Sequence, residues 1–509
     1  MSALIALAVV FLFGGLAAAL LGGVLALGSS FLSIVVVGAV GGIVYVFLPI
    51  ELILWVTLIG TLLVAGSLQY FLRIPIAQWI PVGLAAGLIA RTFIDFVAGA
   101  GRRNRLISAE GGLPGFYMIF FIFVGLIVLS AALNESRFLQ SVVGLKNYCL
   151  FGIVAVCLSQ RVGSDSRFRR INTGLLWLPV LQLPVVLYQH FWIMEKRAGG
   201  AAWDAVVGTF GGNPEHGGAN AALVVFAITS ICLGLARWRA RKLSRTWLIF
   251  LLSVNGALLF LGEVKAVVVL LPLALAFVYR EQLLRRPLTL LLWLIISVAF
   301  LAITVAVYQS IYWSKDNSHR SIRDNVLLTM DYVTNPEFIN YRTGEVGRTA
   351  AIDLWRRDTN ATPYTRFFGY GPAASRTQST LVLGDVAKRH FPLDISATSL
   401  SSLLWDFGVI GTASFLAFFA AALLSGMKVG RCLTIEDGRH ADAIALTAVL
   451  AVLIATIPYN RYLVDLPSIQ LLGALVMGQI GYLVRRRLRA DRVNDDGQRA
   501  MGSFAQQRT

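Results

Sequence analysis

Long apolar runs separated by short polar gaps make up most of this chain. A helix needs about 20 apolar residues to cross a hydrocarbon core of about 30 Å, and no open sheet edge is tolerated there, so each run reads as a spanning helix. The runs fall at 3–27, 30–48, 51–69, 77–97, 115–134, 140–160, 172–193, 219–236, 245–261, 264–280, 287–312, 399–426, 441–459 and 464–484. They predict an all-α polytopic membrane protein with about fourteen transmembrane helices. The first run has no Lys or Arg ahead of it and is too long for a signal h-region, so it is expected to stay as a helix. Residues 1–312 then hold helices 1–11 with a loop over 194–218, residues 313–398 form a large loop, 399–484 hold helices 12–14, and 485–509 form a polar tail that reads as disordered. No internal repeat of the inverted-transporter kind is seen.

Composition supports this pattern: mean hydropathy is +0.72, with 57% hydrophobic and 14% charged residues. The net charge of +17 does not indicate nucleic acid, because most cations sit in short gaps between apolar runs. The gaps holding Arg102–Arg105, Arg161–Arg170, Arg237–Arg245, Arg280–Arg286 and Lys428–Arg439, and the "RRRLR" after the last run, alternate with cation-poor ones. Cytoplasmic gaps carry the excess of Lys and Arg, so both termini are expected inside and the loops 194–218 and 313–398 outside. Four cysteines, Cys149, Cys157, Cys232 and Cys432, suggest neither a disulfide framework nor a thiolate metal site.

The large loop is dense in arginine, aromatic residues and glycine, as in "GRTAAIDLWRRDTNATPYTRFFGYGP" over 347–372. Gly347–Asp358 predicts a short helix with Ile352 and Trp355 on one face and Arg348 in its first turn. A cation there opposes the helix dipole unless an anion is shared with the free N–H groups, an arrangement suited to phosphate. Arg356, Arg357, Arg366 and Arg376 add charge, and Gly369, Gly371 and Pro372 form a turn that a ligand can approach closely. Any one of these arginines alone reads as solvated surface; their crowding is the signal.

Glu263 and Lys265 stand at the junction of the ninth and tenth runs, where ionisable groups are costly and lysine is read as facing an outer cavity. Asp406 lies about two turns inside the twelfth run and needs a cationic partner or a wet cavity. Arg91 and Asp95, four apart, are expected to pair. His216 and His390 are the loop imidazoles that suit proton abstraction from a sugar hydroxyl. No HExxH, CxxC, DxD or P-loop pattern occurs, so neither a metal nor another cofactor is expected.

Many membrane helices, a late large loop, Gly347-Arg348 followed by Trp355, the "GYGP" turn with Gly369 and Gly371, and a helix with Gly408 and Gly411 together resemble the O-antigen ligase and O-antigen polymerase superfamily. The resemblance covers about 250–426 and extends upstream by topology. It implies a metal-independent, inverting glycosyltransferase of the bacterial inner membrane, whose partners are an undecaprenyl-pyrophosphate-linked oligosaccharide, an acceptor glycan, the bilayer and a chain-length regulator. It further implies that Arg348 and Lys265 hold the pyrophosphate, joined by Arg197, which begins an Arg-x10-Gly pattern ending at Gly208, and by Arg356. Glu263, Asp406 and His390 are the candidate proton acceptors, and Trp355, Tyr370 and His216 the candidate glycan contacts. Ligases carry a His-Asn pair eleven residues before the first late glycine; counting back from Gly408 gives Ala397 and Thr398. The expectation is therefore a repeat-unit polymerase for capsule, exopolysaccharide or O-antigen. The alternatives are an O-antigen ligase, a peptidoglycan-type glycosyltransferase with a carboxylate base and, from another class, a lipid-linked oligosaccharide flippase or transporter.

Overall fold

The computed structural model describes residues 41–100, 112–194, 205–214, 217–262, 264–308, 322–377, 383–433 and 438–506. Its architecture is all-α, with only two short antiparallel ladders among the described residues, Gly212–Asn213 with Gly217–Gly218 (β1, β2) and Ile339–Asn340 with Glu345–Val346 (β3, β4). The principal helices in order are α1 Ile50–Phe71, α2 Pro75–Ala98, α3 Gly115–Leu133, α4 Phe138–Tyr148, α5 Leu150–Val162, α6 Asp165–Ile193, α7 Asn220–Arg239, α8 Arg245–Leu261, α9 Val267–Val278 and α10 Pro287–Val307. The loop region holds α11 Ile322–Thr334, α12 Arg348–Arg356, α13 Pro363–Phe368 and α14 Asp385–Arg389. The chain then forms α15 Ser399–Cys432, α16 Gly438–Thr456, α17 Tyr462–Asp465 and α18 Pro467–Arg489.

Nine of these helices, α1, α2, α3, α6, α7, α10, α15, α16 and α18, are long and apolar enough to cross a membrane. The count falls below fourteen for identifiable reasons. The predicted run 140–160 is a pair, α4 and α5, bent by 43°. Helices α8 and α9 occupy the runs at 245–261 and 264–280 but have only 17 and 12 residues, so at 1.5 Å per residue α9 is about 18 Å long. The run 3–27 and most of 30–48 lie outside the described residues.

Burial sets the order of packing. Helix α7 is apolar all round and buried along 89% of its crossing stretch, which makes it the centre of the bundle against α16, α6, α8 and α9. Helix α10 is buried along 6% and presents Leu291, Ile295 and Val298 outward, as a surface meant for an apolar medium. Helix α15 packs on α3 through Phe116, Phe120, Phe123, Phe415 and Phe418.

The segment 205–213 dips into this bundle, with Ala205, Val206 and Val207 fully buried. Buried backbone must find partners, and two glutamines of α6 supply them. Gln189 Oε1 accepts from Val207 N at 3.0 Å and Gly208 N at 2.7 Å, while Gln182 Oε1 accepts from Thr209 N at 2.8 Å. Gly66 of α1 allows the contact, since a Cβ there would overlap the Thr209 carbonyl.

The polar ends sort into two groups. Arg486 and Arg439 reach Asp165, and Arg485 donates to Gln160 O at 2.6 Å, which draws the ends of α5, α6, α16 and α18 together. At the other end the C-terminus of α1, the N-termini of α2, α7 and α9, and the α16–α17 turn surround a cavity. The expected Arg91–Asp95 pair forms at 3.1 Å.

Candidate functional site

The cavity has a volume of about 1250 Å³ and is lined by six cationic side chains, Arg73, Lys146, Lys265, Arg348, Arg376 and Arg461, against two carboxylates, Glu345 and Asp465. Arg348 and Lys265, the two cations expected to hold a pyrophosphate, both line it although they stand 83 positions apart in the chain.

Arg348 opens α12, whose N-cap, Gly347, offers no side-chain acceptor to the first turn. Its guanidinium donates to Ala397 O at 2.7 Å and lies between the rings of Tyr332, at 5.0 Å, and Tyr459, at 5.5 Å. Its Nε is buried and has no hydrogen-bond partner among the described residues. Thr349 Oγ1 donates to Val333 O at 2.6 Å and locks α12 against α11, so the arginine is held by its surroundings. Burial pushes the Tyr332 phenol above its ordinary range, with the Arg348 charge acting against this, so it stays a neutral ring against the guanidinium. Lys265, exposed at the start of α9, donates to Thr329 Oγ1 on α11 at 3.2 Å, one turn from Tyr332.

A chain of ion pairs crosses the cavity wall. Arg461 binds Asp394 at 3.0 Å and Asp465 at 3.5 Å; Arg376 binds Asp465 at 2.9 Å. Burial alone would lower the Arg461 pKa, yet Asp394 and Asp465 outweigh it and hold it above the ordinary guanidinium value. This chain ties the loop to α17. Beyond it, the Lys146 ammonium lies 4.6 Å from the centre of the Trp79 ring.

The other expected site residues lie elsewhere. Asp406 is 1% exposed, and its carboxylate accepts from Ala373 N at 2.9 Å, Ser375 N at 2.8 Å and Tyr148 Oη at 2.8 Å. It lines no part of the cavity. It needs no cation because three donors satisfy it, which answers the requirement set by its depth. The His390 ring lies 5.3 Å from that of Trp405 at a tilt of 56°, outside the cavity lining, and burial holds its pKa below the ordinary imidazole value. Arg356 is a surface residue 3.7 Å from Asp353. Trp355 carries the Arg366 guanidinium 5.0 Å above its ring, and Tyr370 donates to Asp358 while Arg389 lies 4.7 Å over its face. These aromatics brace the loop and do not line the cavity. Glu263, Arg197 and His216 lie outside the described residues. Among the described residues no three His, Cys, Asp or Glu side chains gather in a way that could hold a metal ion.

Sequence reasoning missed Lys146, Glu345 and Arg461 as site residues. Lys146 was visible as a charge inside an apolar run, which is costly without a role. Arg461 and Asp465 sit in and beside the short gap after 459, and their meaning depends on partners 67 and 89 residues away, Asp394 and Arg376.

No protein-family model matches the chain, and no match is found among curated proteins.

Proposed function

We propose that this chain is a polysaccharide repeat-unit polymerase of the O-antigen ligase and polymerase superfamily. It transfers glycan from an undecaprenyl-pyrophosphate donor to an acceptor glycan on the outer face of a bacterial inner membrane. The observation that carries the reading is the convergence of Arg348 and Lys265 on one cation-lined cavity at the end of the bundle.

In this reaction the acceptor hydroxyl oxygen forms a bond to the anomeric carbon, and the bond from that carbon to the diphosphate oxygen breaks. The electron pair leaves with the diphosphate, so fixed positive charge aimed at it is the largest source of rate. Arg348, pinned by Ala397 O and two tyrosines, supplies a fork of donors, and Lys265 a mobile point charge. The hydroxyl proton goes to a carboxylate. Asp465 is committed to Arg376 and Arg461, whereas Glu345 lines the cavity without an ion pair among the described residues and takes the role of base.

One further contact favours a polymerase over a ligase. Position 397, where the ligase imidazole falls by count from Gly408, stands against Arg348, and here it is an alanine whose carbonyl alone is used. A transporter would set its charges along a midplane pathway, whereas these cluster at helix ends.

The test is complementation of a deletion strain with Arg348→Ala and Lys265→Ala variants at normal membrane levels. Long glycan chains are expected to be lost with Arg348→Ala and sharply reduced with Lys265→Ala. Full-length glycan from both would remove the proposal.

A further inference from the structure

Lys146 is half-buried in a bundle meant for an apolar medium, and its ammonium makes no ion pair among the described residues. A charge in such a place is costly unless an anion reaches it. The last turn of α4 is fixed on every other side. Gly144 allows Pro372 of the "GYGP" turn to sit directly on the helix, where a Cβ would overlap the proline ring. Asn147 donates to Asp465 at 3.3 Å and its carbonyl accepts from Gln470 Nε2 at 2.6 Å, while Tyr148 donates to Asp406. With residues 144, 147 and 148 held in protein, and the helix bent immediately afterwards, Lys146 is presented to the cavity beside Trp79.

The ion-pair chain Asp394–Arg461–Asp465–Arg376 adjoins both groups: Tyr459, two residues before Arg461, lies against Arg348, and Asn147, next to Lys146, donates to Asp465. Its two arginines are matched by two carboxylates within the protein, which leaves Lys146 as a cationic station apart from the one at Arg348 and Lys265.

Resting on the reading above, we propose that Lys146 centres a second anion subsite, distinct from the Arg348 station, that takes an acidic group of the substrate. The group is the carboxylate of an acidic sugar in the glycan or the distal phosphate of the donor. Trp79 holds the ammonium in place through its ring face, and the substrate anion completes the charge balance.

The experiment is calorimetric titration of the full-length protein, in nanodiscs of phosphatidylcholine, with inorganic pyrophosphate, trigalacturonic acid and neutral maltotriose. Lys146→Met is expected to weaken at least one acidic probe about tenfold or more, with Lys146→Arg restoring it and maltotriose unchanged. Loss confined to trigalacturonate identifies the sugar source, and loss confined to pyrophosphate the phosphate source. The proposal is overturned if both acidic probes bind Lys146→Met as they bind the wild type, if the wild type binds neither, or if maltotriose is weakened equally. Arg348→Ala run in parallel separates the two claims: pyrophosphate binding lost in Arg348→Ala, with both acidic probes bound normally by Lys146→Met, sinks only the subsite, whereas pyrophosphate binding kept in Arg348→Ala sinks the functional reading itself.

Discussion

Asp406 illustrates how the cost of a buried charge is met by partners that the sequence does not name. Its depth in an apolar run marked it as needing compensation, and the compensation is two backbone N–H groups of one turn and a phenol from a separate helix. Sequence cannot reveal those donors, because Tyr148 stands 258 residues away and the backbone of Ala373 and Ser375 is oriented only once the turn has formed. Asp406→Ala leaves all three donors buried and unsatisfied, so it is expected to cost about 3 kcal/mol or more, seen as a lower melting temperature in detergent. Asp406→Asn keeps an acceptor and should lose less. An unchanged melting temperature in Asp406→Ala would deny the carboxylate its structural role. Arg348 shows the opposite case: its position in the first turn of a short helix was legible from spacing, and the structure adds the aromatic pair and the Ala397 carbonyl that fix its direction.

At the scale of elements, hydropathy marks runs but not breaks. The run 140–160 has neither Pro nor Gly at the bend, so nothing local announces that α4 and α5 turn by 43° next to Lys146. The short length of α9 was equally hidden, since its apolar composition continues to the boundary while residues 264–266, ahead of the helix, use up the start of the run. The "GYGP" turn was legible as a turn, and the reason for its glycines lies in what it meets. Gly369 has φ +76°, its added Cβ would overlap the Asp406 carbonyl, and Gly408, with φ +61°, kinks α15 at the same crossing. Tyr370 N donates to Trp405 O at 2.9 Å and Gly371 N to Asp406 O at 3.0 Å, so turn and helix share hydrogen bonds that the kink makes available. Gly369→Ala suffers both backbone strain and collision, and is expected to lower the yield of folded protein in membranes and to lower its melting temperature. Wild-type yield and melting temperature would show that the crossing can relax.

At the scale of the whole molecule, the account depends on two ends with different chemistry. One end joins Asp165, Arg439, Arg485 and Arg486; the other gathers the cationic cavity beneath the loop. On the proposed function, the alternation of cation-rich and cation-poor gaps puts the first end in the cytoplasm and the cavity outside, on the side where the proposed lipid-linked donor would be met. The measurement that tests this most directly is labelling of Leu328→Cys, an exposed position in the cavity lining, with a membrane-impermeant maleimide on intact spheroplasts, using exposed Cys432 near the end of α15 as the internal reference. The account predicts that the cysteine at 328 reacts without permeabilisation and more slowly when pyrophosphate is present, while Cys432 reacts only after permeabilisation. Reaction at 328 only after permeabilisation would put the cavity on the wrong side of the membrane for its donor and contradict the account.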